Sequence, residues 1–135
     1  MAGYSKRPLV EKLGIKPGYK LFLVNPPENY AETLGALPPN VIILSRLDNP
    51  CEFIQFFTTD RTELERRFPE LMKGLTRNGM LWVSWPKGSS KVKTDLNENV
   101  VREIGLSNKL VDIKVCAVDD IWSGLKFVYR REDRK

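Results

Sequence analysis

Histidine is absent from this chain of 135 residues. With it go His-based catalytic triads and His-ligated metals. The 2 Cys residues stand far apart, at Cys51 and Cys116, with no CxxC pair. That argues against a zinc cluster or a disulfide framework. Ser and Cys nucleophiles lack an imidazole base. No apolar run approaches the ~18 residues that a membrane helix needs. The opening Met1-Ala2-Gly3-Tyr4-Ser5 is not followed by an apolar signal core. A cytoplasmic setting and no membrane partner are therefore expected. The Gly-x4-Gly-Lys-Ser/Thr phosphate loop is missing. No RNA-recognition, zinc-finger or homeodomain pattern is present. Low-complexity tracts and long linkers are missing too, so one domain spanning 1–135 is expected.

A hydrophobic share of 41% is enough for a packed core. The formal charge is +5. It is uneven: residues 1–67 hold nine basic and eight acidic side chains, and residues 68–135 hold thirteen and nine. Lys87, Lys91 and Lys93 form one concentration, and Arg130, Arg131, Arg134 and Lys135 form another. The first reads either as a solvated loop or as an anion site, the second as a mobile tail. Nucleic acid stays open as a partner.

Pro8, the apolar Leu9, Val10 and Leu13, and then Gly14 predict a short helix with a left-handed stop. Lys16-Pro17-Gly18 reads as a turn. Lys20-Leu21-Phe22-Leu23-Val24 is a continuous apolar run, as a strand covered on both faces would be. Asn25-Pro26-Pro27-Glu28 follows, with Asn25 suited to cap a helix carried by Tyr30 or Ala31, Leu34 and Leu37 and ended by Pro38-Pro39. Val41–Leu44 predicts a second buried strand and Cys51–Phe57 a third. Asp60 caps the next helix, with Glu63 three residues on. Leu64, Phe68, Leu71 and Met72 give it an apolar face, and Pro69 predicts a kink or two short helices. Asn78-Gly79 reads as a turn before a fourth strand, Met80–Trp85. The polar loop Pro86–Lys93 precedes Asp95, Glu98 and the apolar Val100, Val101 and Ile104, a third capped helix. Val111–Cys116 and Gly124–Tyr129 are strand-like and separated only by residues 117–123. They are expected to pair antiparallel.

The helix starts at Asn25, Asp60 and Asp95 recur at intervals of 35 residues. Each follows a strand. This grammar predicts a three-layer α/β fold: a mostly parallel sheet flanked by helices, with a C-terminal antiparallel hairpin. Ligands in such sheets bind outside the carboxyl ends of the strands. The loops after Val24, Phe57 and Trp85 would share that rim.

A parallel set closed by an antiparallel hairpin resembles the S-adenosylmethionine-dependent methyltransferase fold, a Rossmann-like arrangement. One strand–helix unit is missing between Leu44 and Cys51. Nearly the whole chain also resembles a group of small bacterial proteins of unassigned function. The stretches that carry this are Gly3-Tyr4-Ser5, Leu13–Gly18, Leu64-Glu65-Arg66-Arg67, Trp85-Pro86-Lys87, Thr94-Asp95-Leu96, Val111–Asp119 and, most specific, Trp122–Val128. Relatives carry a second basic residue after Lys87, where this chain has Gly88. The resemblance implies the fold and a bacterial cytosolic setting, and no particular activity.

In methyltransferases the cofactor lies across a glycine-rich turn after the first strand, and an acid after the second strand holds the ribose. Here Asn25-Pro26-Pro27 replaces the glycines and removes two N–H donors. Asp48 is the one acid placed for the ribose. Amino-methyltransferases of nucleic acids use Asn-Pro-Pro-aromatic, but after a later strand, and Glu28 stands here in place of the aromatic. Capping is the better reading of Asn25. Three functions follow from these residues. The first is a non-catalytic binder of an anionic or nucleotide-like ligand at the rim, drawing on Asn25, Lys87, Ser89, Lys91, Asp95, Trp122 and Lys126. The second is a working methyltransferase. The third is a regulatory module that meets a protein partner through the Trp122-Ser123-Gly124 turn. No catalytic residue, metal ligand or cofactor is assigned from the sequence.

Overall fold

The computed structural model describes residues 7–48 and 50–134. The Gly3-Tyr4-Ser5 stretch and Lys135 lie outside the described residues. Among the described residues six strands form one sheet: β1 Lys20–Val24, β2 Ile42–Leu44, β3 Cys51–Phe57, β4 Leu75–Pro86, β5 Leu110–Ala117 and β6 Trp122–Tyr129. Their order is β2-β1-β3-β4-β6-β5. The first four run parallel, and β6 enters antiparallel between β4 and β5. The hairpin expected at the C-terminus is therefore present, with β6 wedged against the parallel set.

Among the described residues four α-helices cover the sheet: α1 Leu9–Leu13, α2 Tyr30–Leu34, α3 Arg61–Lys73 and α4 Glu98–Ser107. Alternation of side chains along each strand sorts the core into two clusters. On one face Ile54, Phe56, Leu81, Val83, Leu125 and Phe127 meet Leu64, Phe68, Val101 and Ile104 of α3 and α4. On the other, Leu21, Phe53, Phe57 and Trp82 meet Leu9, Val10 and Leu13 of α1 and Tyr30 and Leu34 of α2. β3 is covered on both sides, which is why Cys51–Phe57 reads as an almost unbroken apolar run. Trp82 Nε1 donates to the Leu13 carbonyl at 3.0 Å and fixes α1 to the sheet. Gly14, at φ 88, ends that helix as its sequence requires.

Several expectations are corrected. β2 is an edge strand, not a buried one: Ile42 and Ile43 are 54% and 53% exposed. As expected, no strand–helix unit is found between Leu44 and Cys51 among the described residues. α2 stops at Gly35, at φ 86, well short of Leu37 and the prolines. α3 is one helix through Pro69 rather than two pieces. Pro69 forfeits one backbone bond, and the buried Leu64, Phe68 and Leu71 hold the helix together across it. Asn78-Gly79 lies inside β4. The strand absorbs it as an irregularity between the pairs Cys51–Leu75 and Phe53–Met80. Residues 130–134 are fastened: Arg134 Nε donates to the Tyr129 carbonyl at 2.8 Å, and Arg77 reaches the Asp133 carbonyl at 3.3 Å. Among the described residues no helix is long and apolar enough to cross a membrane.

Candidate functional site

Parallel strands bring their carboxyl ends to one rim. Residues 25–29 after β1, 58–60 after β3, 87–97 after β4 and the 118–121 turn between β5 and β6 make it. Asn25 stands at the end of β1 with φ 56, a left-handed conformation that Asn tolerates and β-branched residues do not. Its side chain does not cap α2. Nδ2 donates instead to the Phe57 carbonyl at 3.2 Å, across the gap between the ends of β1 and β3. The reason is distance along the chain: Pro26, Pro27 and Glu28 intervene, and Asn29, at φ 63, occupies the cap position of α2. The turn after β1 is thus braced by a side-chain strut and two proline rings.

Asp95 also moves from its expected role. The helix that follows it is capped by Asn97, whose side chain accepts from the Val100 N–H. Asp95 Oδ1 accepts from the Arg61 N–H at 2.8 Å, the first residue of α3. Thr94 Oγ1 donates beside it to the Thr59 carbonyl at 2.7 Å. Thr94 and Asp95 thus hold the start of a helix 34 residues earlier in the chain. Asp60 caps that same helix as expected, accepting from the Thr62 N–H at 2.9 Å. Glu63, three residues on, accepts from Thr58 Oγ1 at 2.6 Å.

The lysine loop is tied at its root. The Lys87 N–H donates to the Ile121 carbonyl at 2.7 Å, joining the rim to the hairpin turn. Gly88–Ser90 form a 3-10 turn, with Ser90 Oγ donating to the Lys87 carbonyl at 2.6 Å. Ser89 and Lys91 are exposed, and Lys91 takes φ 64. Trp85 turns into the core and leaves Lys87 without its ring. Trp122 is half-buried and packs edge-on against Phe57, with centroids 5.2 Å apart, and Phe57 packs edge-on against Tyr30 at 4.9 Å. Asp119 Oδ1 accepts from the N–H groups of Ile121 and Trp122, so this acid shapes the turn that presents the tryptophan. Asn25, Lys87, Ser89, Lys91 and Trp122 are therefore rim residues. Lys126 is not: it pairs with Lys114 of β5 in the middle of the sheet and lines a cavity that opens toward the opposite end.

Beneath the aromatic row lies a buried polar chain absent from the expected site. Tyr30 Oη donates to Gln55 Oε1, and Gln55 Nε2 donates to Ser84 Oγ at 3.2 Å. Gln55 and Ser84 are both fully buried. Burial pushes the Tyr30 hydroxyl well above its ordinary range, more than the Gln55 bond lowers it. Two polar residues inside otherwise apolar strands, Gln55 and Ser84, were the available signal. Burial likewise pushes the Cys51 thiol up to about 11 and raises that of Cys116, so neither is an activated nucleophile. Beside the Asn25 turn an apolar recess of about 290 Å³ opens between α2 and the edge strand, walled by Leu23, Pro26, Pro27, Tyr30, Leu34 and Ile43.

No family model and no curated protein matches the sequence. Solved structures do match by fold. A SAM-dependent methyltransferase from Aquifex aeolicus superposes with a TM-score of 0.58 at 16% identity, over 88% of this chain and 86% of that one. A putative methyltransferase from Thermoplasma acidophilum gives 0.58 at 9% identity, over 97% and 77%. Magnesium protoporphyrin IX methyltransferase from Synechocystis, with bound SAH, gives 0.55 at 10% identity, over 90% and 78%. This chain has the methyltransferase-like, Rossmann-like fold that its strand grammar predicts.

Proposed function

We propose that this chain acts as one domain over residues 1–135 in a bacterial cytosol, and binds an anionic or nucleotide-like ligand at the strand-end rim without transferring a methyl group. The observation that carries this reading is the Asn25 strut to the Phe57 carbonyl, backed by Pro26 and Pro27. It occupies the gap where a cofactor would need bare main chain, and the prolines offer no N–H to a carboxylate or ribose. Lys87 and Lys91 supply the cationic side of the rim, and Trp122 supplies a partly open ring. Asp95 turns one carboxylate oxygen to the Arg61 N–H at the start of α3.

Methyl transfer is the second reading. The methyltransferase neighbours and the recess beside the first-strand turn favour it. One titration series separates the two. Adenine nucleotides are expected to raise the melting temperature of the wild type, and a Lys87→Ala, Lys91→Ala double variant is expected to lose that rise. S-adenosylmethionine at millimolar concentration is expected to give no heat. Saturable heat from S-adenosylmethionine overturns the non-catalytic reading. Equal nucleotide shifts in wild type and double variant remove the rim lysines from it. A Trp122→Ala form that keeps every ligand but loses a co-purifying protein would assign the rim to a regulatory partner.

A further inference from the structure

We infer that the protein carries a second anion site, built for a phosphoryl group, at the amino ends of the parallel strands, with Lys126 at its base and Lys16 and Arg134 at its mouth. The proposal is independent of the rim. Lys126 lies four residues along β6 from Trp122, roughly 13 Å at strand rise.

A cavity of about 250 Å³ opens at that end between the α1–β1 loop, the start of β4 and the end of β6. Lys16, Tyr19, Asn78, Lys126 and Arg134 line it, and no carboxylate does. Two cations at the mouth, a third within, a phenol and an amide make a donor-rich wall. The Lys126 ammonium is seated against main chain where α1 ends. A Cβ built at Gly14 would lie 3.5 Å from Nζ, in ordinary contact, which sets the ammonium beside the residue that ends α1. Lys126 is half-buried and forms no ion pair among the described residues. The charges that act on it, Lys114 and Lys16, are both of its own sign. Lys114 donates to the Lys12 carbonyl at 2.9 Å and brings no compensating charge. A half-buried ammonium facing only cations is held at a cost that a bound anion removes.

The distribution of charge supports the same end. The segments adjoining the amino ends of the parallel strands and the exit from β6 are 14–20, 51–52, 73–79, 107–110 and 129–134. They hold eight basic residues and three acidic ones. Their net +5 equals that of the whole chain. An anion approaching the molecule is steered there rather than to the rim. The cavity lies below the roughly 300–1,000 Å³ of sites for drug-sized molecules, so it suits a phosphoryl or pyrophosphoryl group better than a whole nucleotide.

Inorganic pyrophosphate titrated calorimetrically into the full chain at low salt tests this. The expected result is saturable binding that weakens at least tenfold in Lys126→Met and recovers in part in Lys126→Arg. Lys16→Ala with Arg134→Ala, at two exposed positions, is expected to weaken it comparably without touching the core. The Lys87→Ala, Lys91→Ala form is expected to bind as the wild type does, which keeps this site distinct from the rim. Absence of binding, equal binding in wild type and the Lys126→Met form, or loss only in the Lys87 and Lys91 variant overturns the proposal. A sugar phosphate and a single-stranded oligonucleotide, each competed against pyrophosphate, identify the source of the phosphoryl group. Only the oligonucleotide is expected to show a steep salt dependence. Competition by either one supports the site, and competition by neither overturns it.

Discussion

Cys51 and Lys126 sit on the same sheet, and burial shifts their protons in opposite senses. The Cys51 thiol is pushed from 9.0 up to about 11. Between those values the unfolded chain has released a proton that the folded chain still holds. Stability therefore falls as pH rises through that window and is unaffected below it. Cys116 and Tyr30 are raised by burial too and act in the same direction. Lys126, lowered first by burial and then by Lys114 and Lys16, does the reverse: just below 10.5 the folded chain gives up its proton first, and stability rises with pH there. Urea midpoints measured from pH 8 to 11 are expected to decline above pH 9. The decline should be shallower in Cys51→Ala and steeper in Lys126→Met. A Cys51→Ala profile parallel to the wild type would mean that the thiol titrates as it does in the unfolded chain. Burial of both cysteines was legible, because each sits in an apolar strand pattern. The place of Lys126 was not. Alternation along β6 fixes its face, but only the order of strands in the sheet decides what that face meets.

At the scale of elements, the instructive segment is Thr94-Asp95-Leu96. An acid three residues before a glutamate, just ahead of an apolar run, is the pattern of a cap for its own helix. In the structure Asn97 takes that role and Asp95 serves α3. Local spacing cannot distinguish the two, since both helices start at the same rim and their first turns lie side by side. Asp95→Ala is expected to cost about 0.5–2 kcal/mol, the usual range for a lost cap, read as a lowered urea midpoint. Hydrogen exchange locates the loss. The Arg61 amide should exchange faster while the Val100 amide, held by Asn97, keeps its protection. The opposite result would return Asp95 to α4. The same limit of local reading applies to Asn25. Its cap-like sequence is genuine, but two prolines and a second asparagine displace the helix start to Tyr30, and the freed side chain finds a carbonyl on the neighbouring strand. Strands were more legible than helix ends, because β1, β3 and β4 owe their apolar runs to burial on both faces, a property of composition rather than of one bond.

For the whole molecule, the order β2-β1-β3-β4-β6-β5 follows from short connections and the hairpin, both visible in the sequence. What the pattern concealed is where the sheet stops. Val41–Leu44 has the composition of an interior strand, and among the described residues before Cys51 no helix covers it. The structure leaves Ile42 and Ile43 more than half exposed at an edge with unpaired backbone groups. Such an edge invites pairing between molecules. Because Ile42 makes little of the core, Ile42→Thr keeps strand propensity and is expected to change the urea midpoint by less than the equivalent of about 0.5 kcal/mol. The solubility limit in polyethylene glycol is expected to rise, since the substitution removes apolar surface only from the edge. A core substitution behaves otherwise: truncating Ile54, fully buried in β3, would lower stability by about 2–5 kcal/mol. If Ile42→Thr lowered the midpoint on that scale, β2 would have to be covered in solution, and the sheet would not end where the fold places its border.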